Sequence, residues 1–335
     1  MSNLVIPEGY RPRLTSGELQ RAITLIRQEF PRRLADALNL REVRAPLFVD
    51  RASGFNETPI AEGPAVSFDI PAIDAHAELV HSLSKWARVA LKRYEFKLGT
   101  GLYASVHTIR PDVAPDNMRS VYVDQWDWEK HIDPQNRETQ YLRDTVRDIV
   151  TCICDAAEAL RKAFPAVTFR PDRDVYFLTA QELEDRFPQY TPEERETEIC
   201  RLHRTVFLTN IGPALNSGAP HARRAPDCDD WELNGTLFMW NPVLKRACEL
   251  STMGIRVDAD ALRRQLSAAN CEDVRFLLFH QMLLNGDLPQ SIGGGIGASR
   301  LCMLLLEACH IGEVQVGLWD AETLRACEEA EIPLL

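Results

Sequence analysis

Near the C-terminal end of this 335-residue chain the residues run Gly293-Gly294-Gly295-Ile296-Gly297, and Arg300 follows. Backbone bare of side chains lets a flat ring lie against it, and a helix N-terminus just beyond favours phosphate. A guanidinium in the first helical turn can grip phosphate oxygens two at a time. The spacing is not that of a Walker loop, because no Gly-Lys-Ser/Thr follows. It does not open a dinucleotide fold either: Glu313 stands 20 residues beyond Gly293, but only a short tail remains. We expect a strand-to-helix junction on which a nucleotide rests; a tight turn beside a surface arginine fits the same letters.

A second constellation joins Arg110, at the end of one strand-like stretch, to Tyr122-Val123-Asp124-Gln125-Trp126-Asp127 in the next. Side chains alternate along a strand, so Gln125 and Asp127 share a face, which Val121 and Val123 continue. Such a surface passes from apolar to polar and could floor a site for a small zwitterion. A solvated strand end is the other reading.

These residues need elements to hold them. Thr15 and Glu18 have capping-box spacing, and Leu19, Ile23, Ile26, Phe30 and Leu34 then recur at helical intervals. Pro31 is expected to kink or split that helix, since it lacks a donor. Residues 42–49 read as a strand with Pro46 near its end, and 82–92 as a helix. Stretches 102–110 and 120–127 read as an antiparallel pair joined by a mobile loop, 111–119. A long amphipathic helix covers 138–164. Short apolar runs at 175–179, 205–211 and 236–241 have strand length, and 212–226 reads as a surface loop. Helices are expected at 258–269 and 272–285, and the glycine turn runs into another at 298–308. Long helices separate most strands, but the central pair is a hairpin. That order predicts an α+β fold with a mixed, mostly antiparallel sheet, not a doubly wound parallel one. We read residues 1–335 as one catalytic unit, with 1–14 as an extended N-terminal segment.

Acidic residues outnumber basic ones, 49 against 38, for a formal charge of −11. A broad nucleic-acid footprint needs clustered Lys and Arg, so none is expected; a few local arginines can still hold a small anion. Nine cysteines are scattered, with only Cys152 and Cys154 close together. No spacing suits zinc or a redox pair, and reduced thiols in a cytoplasmic protein are expected. The first residues lack a signal-peptide pattern, and the apolar runs are too short to span a bilayer, so no membrane partner is expected.

Six blocks, in order, carry a resemblance: LVHSLSKW (79–86), GLYASVHTIRPD (101–112), SVYVDQWDWE (120–129), RAPDCDDW (224–231), WNPVL with ELSTMGIRVDAD (240–260) and PQSIGGGIGASRL (289–301). Together they resemble asparagine synthetase A, the ammonia-dependent aspartate–ammonia ligase, which is related to the catalytic domain of aspartyl-tRNA synthetase. The resemblance implies a class II synthetase-like fold, a homodimer and no anticodon-binding domain. It implies conversion of aspartate, ATP and ammonia to asparagine, AMP and pyrophosphate, with Mg2+. By matching position, Arg110 is similar to the arginine that clamps the α-phosphate and the reacting carboxylate, and Arg300 to the one on the γ-phosphate. Gly293, Gly294 and Gly295 would bed the nucleotide. Glu249 resembles a carboxylate for Mg2+–ATP. Ser82, Gln125 and Asp127 resemble the group that orients the amino acid, and Arg256 the arginine for the carboxylate not activated. Asp229 and Ser251 match further polar residues of the site. Glu57 stands where the family has an aspartate and is the candidate to take a proton from the incoming ammonia; a solvated loop glutamate is the alternative.

Three positions depart from the family pattern. A lysine expected two places after Lys85 is Ala87. On a helix Lys85 lies about 200° and Arg88 about 100° away around the axis, so neither replaces it. An aspartate expected after Gly235 is Thr236, and the stretch between Trp231 and Leu233 is shorter than in the family. The departures leave open aspartate held through Arg256 alone, a different aspartate-like acid, a different small amine, or a non-catalytic binding paralogue.

Overall fold

The computed structural model describes residues 4–56 and 65–335. Residues 4–14 carry no helix or strand, and α1 (Ser16–Leu38) then begins at the expected capping box. The Thr15 side chain accepts the Glu18 N–H, and the Glu18 carboxylate accepts the Thr15 N–H at 3.0 Å. The helix runs through Pro31 as a single element, against expectation. A buried stripe including Ile26, Phe30 and Leu34 faces the core, and α1 lies against a second long helix described below. Burying such side chains, at roughly 1.5–3 kcal/mol each, outweighs about 3 kcal/mol for one interior proline.

The stretch 42–49 is not one strand. It separates into β1 (Leu40–Glu42) and β2 (Phe48–Asp50), which belong to different sheets, with Pro46 in the gap. A proline cannot donate to a ladder, so the chain changes sheet there. β3 (Ser67–Ile70) and β4 (Ala75–Leu79) complete a small sheet in the order β2-β4-β3. After α2 (Ser84–Arg93) come the hairpin strands β5 (Gly101–Ile109) and β6 (Tyr122–His131), and α3 (Thr139–Ala163). Next are β7 (Tyr176–Thr179), α4 (Ala180–Arg186), α5 (Pro192–His203) and β8 (Thr205–Thr209). The chain continues through β9 (Asp229–Asn241), β10 (Arg246–Arg256), α6 (Ala259–Ala268) and α7 (Leu278–Leu284). It ends with β11 (Ser291–Gly297), α8 (Ala298–Leu305) and α9 (Ala321–Glu329). The expected helix over 272–285 is a 3-10 turn, Glu272–Phe276, followed by α7.

The large sheet has the order β1-β5-β6-β11-β10-β9-β8-β7, and only its outermost pairs, β1 with β5 and β7 with β8, are parallel. A mostly antiparallel sheet was expected, but its centre was not. The glycine run is not a turn. It is the strand β11, with Gly295 opposite Asp127 on one side and Thr252 on the other. Glycine is required by crowding: a Cβ on Gly293 would come within 2.1 Å of Glu129 Oε2, and one on Gly294 within 2.5 Å of Met253 Cβ. Along β6 the alternation sorts two environments. Trp126 and Trp128 point into the core with α1, α3 and α8, where Phe30 meets Trp126 at 5.2 Å. Gln125, Asp127 and Glu129 take the opposite face.

Candidate active site

That opposite face opens into a cleft of about 600 Å³, walled by α2, the 111–119 loop, the end of the 212–226 loop, β10 and α8. β6 sets its floor. Gln125 Nε2 donates to Asp127 Oδ1 at 2.7 Å, and Asp127 Oδ2 accepts the Leu83 N–H at 2.7 Å. That second bond docks the start of α2, so Ser82 and Ser84, with hydroxyls 3.1 Å apart, stand over the floor. β11 leaves the adjoining floor without bulk at Gly294 and Gly295, and Ser251 Oγ donates to the Gly295 carbonyl at 2.8 Å.

β10 is irregular opposite β9 between Glu249 and Ser251. A bulge re-aims side chains, and here Glu249, Leu250 and Ser251 in succession reach the cleft. In the first turn of α8, Arg300 donates through Nη1 to the Glu249 carbonyl at 3.2 Å and through Nε to the Met118 carbonyl at 3.3 Å. Its Nη1 stands 3.7 Å from Glu249 Oε1. Arg110, where β5 gives way to the loop, lines the same cleft. At the far end Arg256 is buried and already balanced: Nη2 meets Glu129 Oε2 at 2.7 Å, and Nη1 donates to Asp229 and lies 3.2 Å from Cys228 Sγ. Burial works against its charge, but Cys228, Glu129 and Asp229 outweigh that and hold its pKa well above the usual guanidinium value.

The structure therefore brings Ser82, Arg110, Gln125, Asp127, Asp229, Glu249, Ser251, Arg256, Gly294, Gly295 and Arg300 to one cleft. Gly293 lies beneath Glu129 and Arg256 instead of on the wall. Glu57 lies outside the described residues. Ala87 is buried with Leu83, Ala90 and Leu102 and does not line the cleft. Thr236 is also buried, and its hydroxyl accepts from Arg224.

Several site groups escaped the sequence reading. The 212–226 stretch is not wholly a surface loop: Arg223, Arg224 and Ala225 turn into the cleft. Glu129 was legible as the next residue on the Gln125–Asp127 face, but its partner Arg256 comes from another strand. Behind the wall, Lys85 Nζ meets Asp227 Oδ2 at 2.5 Å, and His280 Nε2 meets the same oxygen at 2.9 Å; all three side chains are essentially inaccessible. Nothing in the local sequence pairs positions so far apart.

With the geometry in hand, comparison with known proteins is direct. The family profile for aspartate-ammonia ligase matches residues 17–331. An aspartate–ammonia ligase of Lactobacillus johnsonii is 48% identical over 334 residues, covering 99% of each chain. One from Clostridium perfringens is 48% identical over 336 residues, covering 100% of both. Among solved structures, the asparaginyl-tRNA synthetase of Entamoeba histolytica, in complex with asparaginyl-adenylate, superposes with a TM-score of 0.63 at 13% identity. It covers 90% of this chain and 66% of that one. The Pyrococcus horikoshii asparaginyl-tRNA synthetase, also with asparaginyl-adenylate, gives 0.63 at 12% identity, covering 90% and 68%. These last likenesses establish the class II synthetase fold, and the sequence matches establish that the chain belongs to the aspartate-ammonia ligase family.

Proposed function

We propose that the cleft binds ATP and aspartate, activates the aspartate side-chain carboxylate as an acyl-adenylate, and releases asparagine after attack by ammonia. The observation that supports this most is a floor of glycine backbone with Arg110 and Arg300 on its walls and Gln125 and Asp127 beside it. A carboxylate does not react with ammonia until it carries a leaving group. Its oxygen attacks the α-phosphorus, the bond to pyrophosphate breaks, and the two guanidiniums offset the charge on the phosphoryl oxygens. Ammonia nitrogen then attacks the carbonyl carbon, the bond to AMP breaks, and one proton leaves the nitrogen. Glu57 is our candidate acceptor of that proton. Asp127, braced by Gln125 and the Leu83 N–H, would receive the substrate ammonium. Arg256 would receive the second carboxylate, with Asp229 giving way at Nη1.

Glu249 fits a magnesium role. Its carboxylate is partly exposed in the cleft beside Arg300, and no group of three or more potential metal ligands exists among the described residues. Magnesium usually takes one or two carboxylates and completes its shell with phosphates and water. Held by Glu249 and the triphosphate, the ion would supply charge neutralisation during phosphoryl departure.

Incubation with ATP, aspartate and ammonium should yield AMP and pyrophosphate. ADP as the main product would remove this mechanism. Arg110→Ala should abolish turnover while leaving circular dichroism unchanged. We also infer a homodimer formed around the segment after Pro46. Leu47, Phe48 and Phe68 are exposed there, and the two Phe rings meet at 5.3 Å. Light scattering that finds an active monomer at micromolar concentration would refute it. No helix among the described residues is long and apolar enough to cross a membrane; no disulfide is present among the described residues, and we infer a reducing, cytoplasmic setting for these thiols.

A further inference from the structure

The 111–119 loop gives the cleft Asp112, Val113, Met118 and Arg119. Most of its own bonds are local. Val113 N–H reaches the Arg110 carbonyl at 3.2 Å, and Asp116 Oδ1 takes the N–H groups of Met118 and Arg119 at 2.7 and 2.8 Å. A loop held only by such bonds could swing about its two strand ends.

Asn117 prevents this. It is 2% exposed. Its Oδ1 accepts the Val5 N–H at 2.7 Å, and its Nδ2 donates to the Val5 carbonyl at 2.7 Å and the Cys309 carbonyl at 2.8 Å. Its own carbonyl accepts the Ile311 N–H at 2.7 Å. The side-chain amide thus pairs with Val5 in both directions, as a neighbouring strand would. Among the described residues, these bonds and the Arg300–Met118 contact are the hydrogen bonds that tie 112–118 to distant parts of the chain.

Val5 is itself secured. Leu4, Ile6 and Tyr10 pack on Cys309, Cys327 and Ile332. The Tyr10 hydroxyl donates to Glu313 Oε2 at 2.8 Å, while Glu313 Oε1 accepts the N–H groups of Cys309 and His310 at 2.8 and 3.0 Å. Ile311 and Gln315, on that same segment, also line the cleft.

We propose that residues 4–10 are a positioning strap: through Asn117 they hold the 111–119 loop, and with it Met118, Arg119 and the Arg300 contact, in the arrangement that receives the triphosphate. The inference rests on the reading that ATP occupies the cleft. Val5→Pro removes the N–H that Asn117 accepts; Val5→Ala keeps it and serves as the control. Calorimetry with MgATP should show roughly five- to ten-fold weaker binding in Val5→Pro, the equivalent of one ordinary buried hydrogen bond. The KM for ATP should rise in step, the KM for aspartate should stay unchanged, and Val5→Ala should behave as the parent. Wild-type affinity in folded Val5→Pro, or an equal rise in both KM values, would overturn the strap. If Val5→Pro does not fold, Asn117→Asp keeps the acceptor and loses the donor, and the same two outcomes decide. A wild-type chain that fails to bind MgATP at all would instead overturn the cleft reading, and the strap with it.

Discussion

Lys85→Met tests the hidden support of the site. Lys85 lies behind the cleft wall with its ammonium 2.5 Å from Asp227, 2.6 Å from the Asn56 carbonyl and 3.2 Å from the Gly54 carbonyl. It joins α2, the segment that leads toward Glu57, and the 224–229 stretch that carries Arg224 and Asp229. Methionine nearly preserves the volume and removes the charge, so Asp227 loses its ammonium partner in a site closed to water, where His280 still contacts it. Removing one member of a buried ion pair costs about 3–5 kcal/mol, because the other charge is left uncompensated. Urea unfolding should show a loss of that size. Lys85→Met/Asp227→Asn, which removes both charges, should recover part of it. A single variant within about 1 kcal/mol of the parent, or a double variant no better than the single, would refute the reasoning. Acid gives a second check. Burial alone would raise the Asp227 carboxyl, yet Lys85 and His280 outweigh it and hold it well below the usual carboxylate range. A depressed carboxyl contributes stability above its unfolded value, about 3.9, and the contribution is lost as pH falls through the folded value. The parent and Lys85→Met should therefore differ most near neutrality and converge below about pH 4.

Gly295→Ala should act on the amino acid more than on ATP. Its Cβ would lie 2.8 Å from Asp127 Oδ1 and 3.2 Å from Gln125 Nε2. Misplacing such groups costs on the order of 10- to 100-fold, read as a rise in the aspartate KM with a smaller change for ATP. Burial pushes the Cys248 and Cys302 thiols up to about 11 and about 12. Iodoacetamide at pH 8 should therefore spare both in the folded protein and label the part-exposed Cys228 in the cleft first. Peptide mass mapping checks the order, and Cys302 labelled first would refute it.

The sequence revealed the polar face of β6 because strand alternation is local: Gln125 and Asp127 share a surface by geometry alone. It revealed Arg300 beside the glycines because one helical turn fixes the distance. The glycines read as a turn because composition cannot show crowding, and here Glu129, Arg256 and Met253 take the space that side chains would need. Pro31 read as a break because the burial that retains it comes from α3. β10 went unmarked: Glu249, Ser251, Thr252 and Arg256 interrupt its apolar pattern, and those interruptions are where it meets the cleft. Ala87 looked like a gap in the substrate site because it shares the Ser84 face of α2, but it lies one turn behind the cleft wall, buried with Leu83, Ala90 and Leu102. That wall belongs to Ser82 and Ser84. Lys85, Asp227 and His280 could not be linked, since buried charge pairs obey no sequence spacing.

The position of β11 has a consequence for how the chain comes into being. It follows every other described strand in chain order, yet it sits between β6 and β10, pairing with both. Until residues 291–297 have been synthesised and have inserted, β1-β5-β6 and β10-β9-β8-β7 are two half-sheets, each with a bare edge. Unpaired edges invite pairing with other chains, and slow long-range closure prolongs the danger. The cleft cannot exist in any nascent intermediate, because its floor is the seam. Gly294 lies in that seam, and its Cβ would strike Met253 Cβ and the Thr252 carbonyl. Gly294→Val should therefore show first as insoluble protein in the cell, before any kinetic constant can be measured.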